Sequence, residues 1–182
     1  MGCYSITPIV IDTLGDGFDL TNVAAGVRFD MTATGRPLQV AWIQADEAWL
    51  ALDRDGNGTI DNGAELFGDA TRLGNGQLAR NGFEALAEFD VNGDGMITAA
   101  DPVYAQLRLW QDVNHNGFSE INELIPLAQQ NVAGIEVAYQ ESRRRDRYGN
   151  EFRYRARIYE SPFSPRHNRF AYDVILTHEP VQ

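Results

Sequence analysis

Lysine is absent from this sequence: all 15 basic side chains are arginines, set against 26 acids and a formal charge of −11. Acidic charge at that density repels nucleic acid and anionic membrane surfaces, so no nucleic-acid partner is expected. Cysteine is nearly absent too. The single residue, Cys3, excludes an internal disulfide and a cysteine-rich zinc site. No apolar run approaches the roughly 18 residues needed to cross a bilayer, so no membrane insertion is expected. The opening residues lack a basic n-region and a sustained apolar core, and Ile6 stands where myristoylation needs Ser or Thr. No signal peptide is therefore visible. The expectation is a cytosolic protein or an excised piece of a secreted one.

What is present fits a globular domain. Hydrophobic residues make up 43% and aromatics 10% of 182 residues, enough to build a sizeable core. The charge is unevenly placed. Residues 1–134 carry 19 acids against 6 arginines, whereas residues 135–182 carry 7 acids against 9. Self-repulsion in the acidic part calls for a positive counterweight, and metal ions would supply it.

The pattern along the chain predicts an α+β fold in three segments forming one compact unit. Residues 1–52 read as strands: "PIVID", "GVRFD", "LQVAWI" and "AWLAL" are rich in β-branched and aromatic residues. "QADE" suits a hairpin turn between the last two. Residues 53–130 read as a helical lobe, with "NGFEALAEF", "DPVYAQLRLW" and "EINELIPLAQQN" as its helices. Residues 131–182 return to strands in "IEVAYQ", "FRYRARIY" and "FAYDVILTH", with "YGNE" as a hairpin reversal.

The pattern D-x-[DN]-x-[DN]-G recurs at Asp53, Asp90 and Asp112. In a twelve-residue calcium loop, oxygens come from positions 1, 3, 5, 9 and 12 and from the carbonyl of 7, with glycine at 6 for the sharp turn. Loop 3 is the fullest match: Asp112, Asn114 and Asn116, the Phe118 carbonyl, Glu120 at position 9 and Glu123 at 12. Its Ser119 occupies position 8, usually aliphatic, which leaves open how the loop pairs with another. Loop 2 offers Asp90, Asn92, Asp94, the Met96 carbonyl and a closing Asp101, with Thr98 able to act through water. Loop 1 supplies Asp53, Asp55, Asn57, the Thr59 carbonyl and Asp61, but Ala64 stands at position 12 and the acid, Glu65, comes one residue late. Gly63 is expected to provide the freedom that lets Glu65 swing back. A single such loop reads equally well as an Asx-rich turn. Three within 71 residues, each followed by an acid at position 12 or 13, predict two or three bound Ca2+ ions. Poorer fragments at Asp12–Asp19 and Asp30–Gly35 leave a further site open.

Taken together, "PIVIDTLGDGFDLT", "ALDRDGNGTIDNGAELFGD" and the block from 81 to 124 resemble the EF-hand-like calcium-binding module of large secreted bacterial proteins, including RTX-type ones. The resemblance covers residues 8 to about 140. It implies an extracellular location, calcium-dependent folding and ligands at the loop positions above. One branch of that group is self-processing: it cuts an Asp-Pro bond at its N-terminal edge and passes the activated aspartyl to a lysine. The matching junction here is Thr7-Pro8, and no lysine exists to accept it. The expected role is therefore a calcium-stabilised structural or interaction module without enzymatic activity, with calcium-dependent self-processing as the alternative.

Other patterns point less far. His115, His167 and His178 form no known catalytic or zinc motif. "GNGQLA" has no βαβ context, and Glu84 and Glu88 suit a solvated helix face. Arg153, Arg155 and Arg157 share one strand face and, with Arg143, Arg144, Arg145 and Arg147, suggest either a protein or anionic-glycan partner or a solvated face that offsets the acidic lobe.

Overall fold

The computed structural model describes residues 5–161 and 169–180; Cys3 and His167 lie outside them. In chain order the elements are β1 (Ile9–Asp12), β2 (Val27–Phe29), β3 (Leu38–Val40), β4 (Glu47–Ala51), α1 (Gly82–Ala87), β5 (Met96–Thr98), β6 (Arg108–Trp110), β7 (Leu124–Pro126), β8 (Gly134–Glu136), β9 (Gln140–Arg145), β10 (Glu151–Tyr159) and β11 (Arg169–Ile175). All but β2 and β3 join one curled antiparallel sheet, ordered β5-β8-β10-β11-β1-β4-β6-β7, with β9 also on β10.

The fold is mostly β, which corrects the expected α+β class and its EF-hand helical lobe. Only α1, six residues capped by the Asn81 side chain on the Glu84 N–H, is α-helical among the described residues. "DPVYAQLRLW" divides into a 3-10 turn at Pro102–Ala105 and then β6. "EINELIPLAQQN" divides into the 3-10 turns Ile121–Glu123 and Leu127–Gln130 around β7. The physical reason is length and competition. Apolar repeats of eight to twelve residues fall below what a helix needs to stand alone. The sheet offers these segments a better burial: Trp110 pairs with Trp49, and Leu124 with Trp110.

Alternation along the central strands puts two cores on opposite faces. Ile9, Ile11, Ala48 and Leu50 face Phe83, Leu86 and Ile158. Val10, Trp49 and Ala51 face Trp42, Phe29, Phe152 and Tyr172. Strands covered on both sides read as unbroken apolar runs, which is why "PIVID" and "AWLAL" were legible. "QADE" is not a hairpin turn: β3 pairs with β2, while β4 pairs with β1 and β6. "YGNE" does reverse the chain between β9 and β10, with Gly149 at φ +91°.

Candidate metal centre

The three loops fold by one rule. The first aspartate turns its carboxylate back onto the N–H groups of the loop's own turn. Asp53 accepts from Gly56, Asn57 and Gly58 (2.7, 3.2 and 2.8 Å). Asp90 accepts from Asp94 and Gly95 (3.2 and 2.8 Å), and Asp112 from Asn116 and Gly117 (3.0 and 2.8 Å). The turn demands left-handed backbone at position 6, and Gly58, Gly95 and Gly117 supply it at φ +88°, +85° and +73°.

Each closing acid then bridges the same two N–H groups. Glu123 accepts from Val113 at position 2 and Glu120 at position 9 (3.0 and 3.4 Å). Asp101 accepts from Val91 and Thr98, both at 3.0 Å. Glu65, one residue late, accepts from Arg54 and Asp61 at 3.1 and 2.8 Å, again positions 2 and 9. The extra residue is absorbed in the 3-10 turn Gly63–Glu65, which is capped by Asn62. Gly63 serves there differently from expectation. Its backbone is not left-handed; a Cβ would sit 1.8 Å from the Met31 carbonyl oxygen, so the glycine permits a close approach.

All three closing acids are buried, at 4%, 1% and 3% exposure, although each is a carboxylate. Burial pushes Glu65 and Glu123 above the usual carboxylate range, and neighbouring Glu120 adds to the effect on Glu123. In loop 1, carboxylate oxygens of Asp53, Asp55 and Glu65 lie within 4.8 Å of one another. Asn57 and Thr59 tie Asp55 and Asp61 into the same cluster. In loop 3, Asn114 and Asn116 both donate to Glu120 Oε1, while Glu120 Oε2 is buried without a hydrogen-bond partner among the described residues. In loop 2, Asn92 donates to Asp94, and Met96 begins β5. Phe118 projects its ring into solvent at 73% exposure.

The loops are not equivalent in their surroundings. The Ser119 hydroxyl accepts from the Ile60 N–H at 2.6 Å, so position 8 of loop 3 meets position 8 of loop 1 through a side chain. Loop 2 instead pairs Ile97 with Ile135 of β8. Between loops 2 and 3 lie the turn Pro102–Ala105 and β6.

Sequence reasoning missed Trp42 and Glu47, and noted Asp12 and Asp30 only as poorer loop fragments. Trp42 donates its indole N–H to Asp112 Oδ2 at 2.8 Å, tying loop 3 to a cluster holding all three tryptophans. Asp30 cages the N–H groups of Thr34 and Gly35 as the loop aspartates do, and Asp12 those of Gly15 and Gly17. Neither is closed at positions 2 and 9 by a carboxylate among the described residues. The D-x-T-x-T-G spacing at Asp30 was the available signal. Glu47, 2% exposed, accepts from Asp19 and Gln44, and burial pushes its carboxyl up to about 7.

The Thr7-Pro8 junction is buried against Gly68, and the Thr7 hydroxyl accepts from the Asp69 N–H at 2.9 Å. The arginines of β10 do not share one face as expected. A β-bulge between Phe152 and Tyr154 turns Arg153 toward Asp173 and the Arg80 carbonyl on the α1 side, while Arg155 lies on the side of the other core. Most of them are engaged within the chain. Arg153 pairs with buried Asp173, Arg145 with Glu151, Arg144 lies over Phe152, and Arg155 lies over Phe170. His115 is held by its ring against the Ile43 carbonyl.

Two comparisons bear on relationship. The family described as the SPM domain matches residues 9–167. A protein named iron-regulated protein FrpA, from Neisseria meningitidis serogroup C, is 43% identical over 136 residues, which cover 74% of this chain. The chain spans 12% of that relative's length. The expected label of an RTX-like EF-hand protein is thus corrected twice: EF-hand helices are missing among the described residues, and the relative is named for iron regulation rather than as a calcium-binding RTX protein. With its curled sheet and caged aspartate loops, the chain belongs to the SPM domain family.

Proposed function

We propose that this domain is a structural or docking module of an exported bacterial protein, held in shape by two or three calcium ions in its aspartate loops, with no catalytic role. The observation that carries the reading is the shared closure. Glu65, Asp101 and Glu123 are each buried as carboxylates over a loop that already turns another carboxylate inward. Burying like charges together costs stability unless a cation or a proton offsets them. The donors are carboxylate, amide and carbonyl oxygens, a set that suits hard cations such as Ca2+ better than zinc or iron. Asp53, Asp55 and Glu65 would hold an ion in loop 1, and Asp112, Glu120 and Glu123 in loop 3. An ion in each of three loops would take the formal charge from −11 to −5. Extracellular modules bind calcium at about 10⁻⁴–10⁻³ M, so folding would follow export into a calcium-rich medium.

The test is thermal unfolding followed by tryptophan fluorescence in chelator and in 2 mM calcium (about the upper end of that affinity range). The reading requires a calcium-dependent rise in Tm. That rise must shrink in Glu65→Gln and in Glu123→Gln, with the chelated Tm kept or raised. Equal Tm values with and without calcium would overturn it.

A further inference from the structure

An open cleft of about 1150 Å³ lies between the Asp30 loop, loop 1 and residues 69–78. It is larger than the ~300–1,000 Å³ typical of small-molecule pockets. In a chain with this acidic balance its lining is unusual: Arg28, Arg36, Arg54 and Arg72 all contribute, against only Asp69 and Glu179. Arg28 is paired with Glu179 and also donates to the Pro37 carbonyl. The other three have no carboxylate pairing that uses up their forks. Arg54 gives its Nε–H to the Ala64 carbonyl and lies over Phe67 and Phe89. Arg72 gives one N–H to the Gly76 carbonyl, and Arg36 has no hydrogen-bond or ion-pair partner among the described residues. Arg36, Arg54 and Arg72 therefore all line one concavity without a carboxylate partner among the described residues, with Thr32 and Thr34 in the same wall.

The walls select among anions. Pro37, Leu38, Leu78 and Pro180 make much of the lining apolar. A densely charged phosphate or sulfate chain would leave that surface unmatched and would meet Asp69 and Glu179 at close range. Spaced carboxylates on an extended backbone fit both features, because each fork takes one carboxylate and apolar stretches lie between. We propose that this cleft is the docking site for an acidic, extended polypeptide segment of a partner protein. The net charge of the chain does not forbid it. Beyond a Debye length of about 8 Å the remaining acids are largely screened at physiological salt. Asp69 and Glu179 line the cleft itself, Glu179 paired with Arg28, and the further acids that oppose binding belong to loop 1, whose Glu65 bonds the Arg54 N–H. On the calcium reading above, an ion in that loop removes this opposition, so docking tightens when calcium is added. Docking itself rests on the arginines and is present in chelator too.

The test is fluorescence anisotropy of a labelled peptide of alternating glutamate and valine against the whole chain, in chelator and in calcium. Saturable binding is expected in both, and Arg36→Glu should weaken it about tenfold, roughly the loss of one well-formed ion pair plus a new repulsion. Arg36 makes no internal bond, so this variant keeps its fold, and unchanged Tm confirms it. Arg143→Glu on β9 should leave affinity unchanged. Binding in chelator that calcium does not tighten sinks the calcium link and leaves the cleft standing. No binding in either condition, equal loss in both variants, preference for inorganic polyphosphate, or self-association of the chain through this face in sedimentation would each overturn the proposal.

Discussion

Removing one hydroxyl, by Ser119→Ala, tests how the acidic loops are joined. Ser119 is 8% exposed and its Oγ is the acceptor for the N–H of Ile60, itself 2% exposed. Alanine leaves almost no cavity, so packing losses are small, but it strands a buried N–H. Such an unpaired donor costs about 1–3 kcal/mol. For a domain of this size each kcal/mol moves Tm by about 2–4 °C, so a fall of roughly 2–12 °C is expected. Urea unfolding in chelator, read by the three buried tryptophans, measures the free energy directly. The same measurement in calcium asks whether the bond couples the two loops. If it does, the loss is larger in calcium, and calcium binds the variant more weakly by the difference between the two losses. A loss below about 0.5 kcal/mol, the size of an ordinary surface substitution, would refute the reading that position 8 of loop 3 holds loop 1.

Two other perturbations follow from buried charges. Burial raises Glu47 from 4.5 to about 7, with Asp46 and Asp19 adding repulsion, and raises Asp173 from 3.8 to about 6. The folded state therefore holds protons that the unfolded state has released. Stability in chelator should fall as pH rises from about 4 to 7, and Glu47→Gln should flatten the upper part of that slope in urea titrations. Arg153→Ala leaves Asp173, fully buried, without its ion pair; only the Gly82 N–H remains to it. A loss of about 3–5 kcal/mol at pH 7, smaller at pH 5 where Asp173 takes up a proton, is expected in the same assay.

The strands that are apolar on both faces could be read from the sequence, because no helix or loop reading competes for "PIVID" or "AWLAL". The helical segments could not. "NGFEALAEF" carries a true helical period yet keeps only six helical residues, and "DPVYAQLRLW" has the same period but gives up its end to pair with β4. That outcome depends on a distant partner, Trp49, which local spacing does not register. The loops themselves were legible down to the late acid of loop 1, since caging an aspartate on its own turn is a local event. What their surroundings add was not. Trp42 on Asp112, Ser119 on Ile60 and Met31 against Gly63 all join residues far apart in sequence.

The central claim is that the buried closing acids wait on a cation, and calorimetric titration of the metal-free chain with calcium tests it most directly. The account requires two or three ions per chain, with heat and stoichiometry reduced by one site in Glu65→Gln. Titration that shows no saturable heat, in a chain whose circular dichroism is already complete in chelator, would contradict it and make these loops hydrogen-bonded turns.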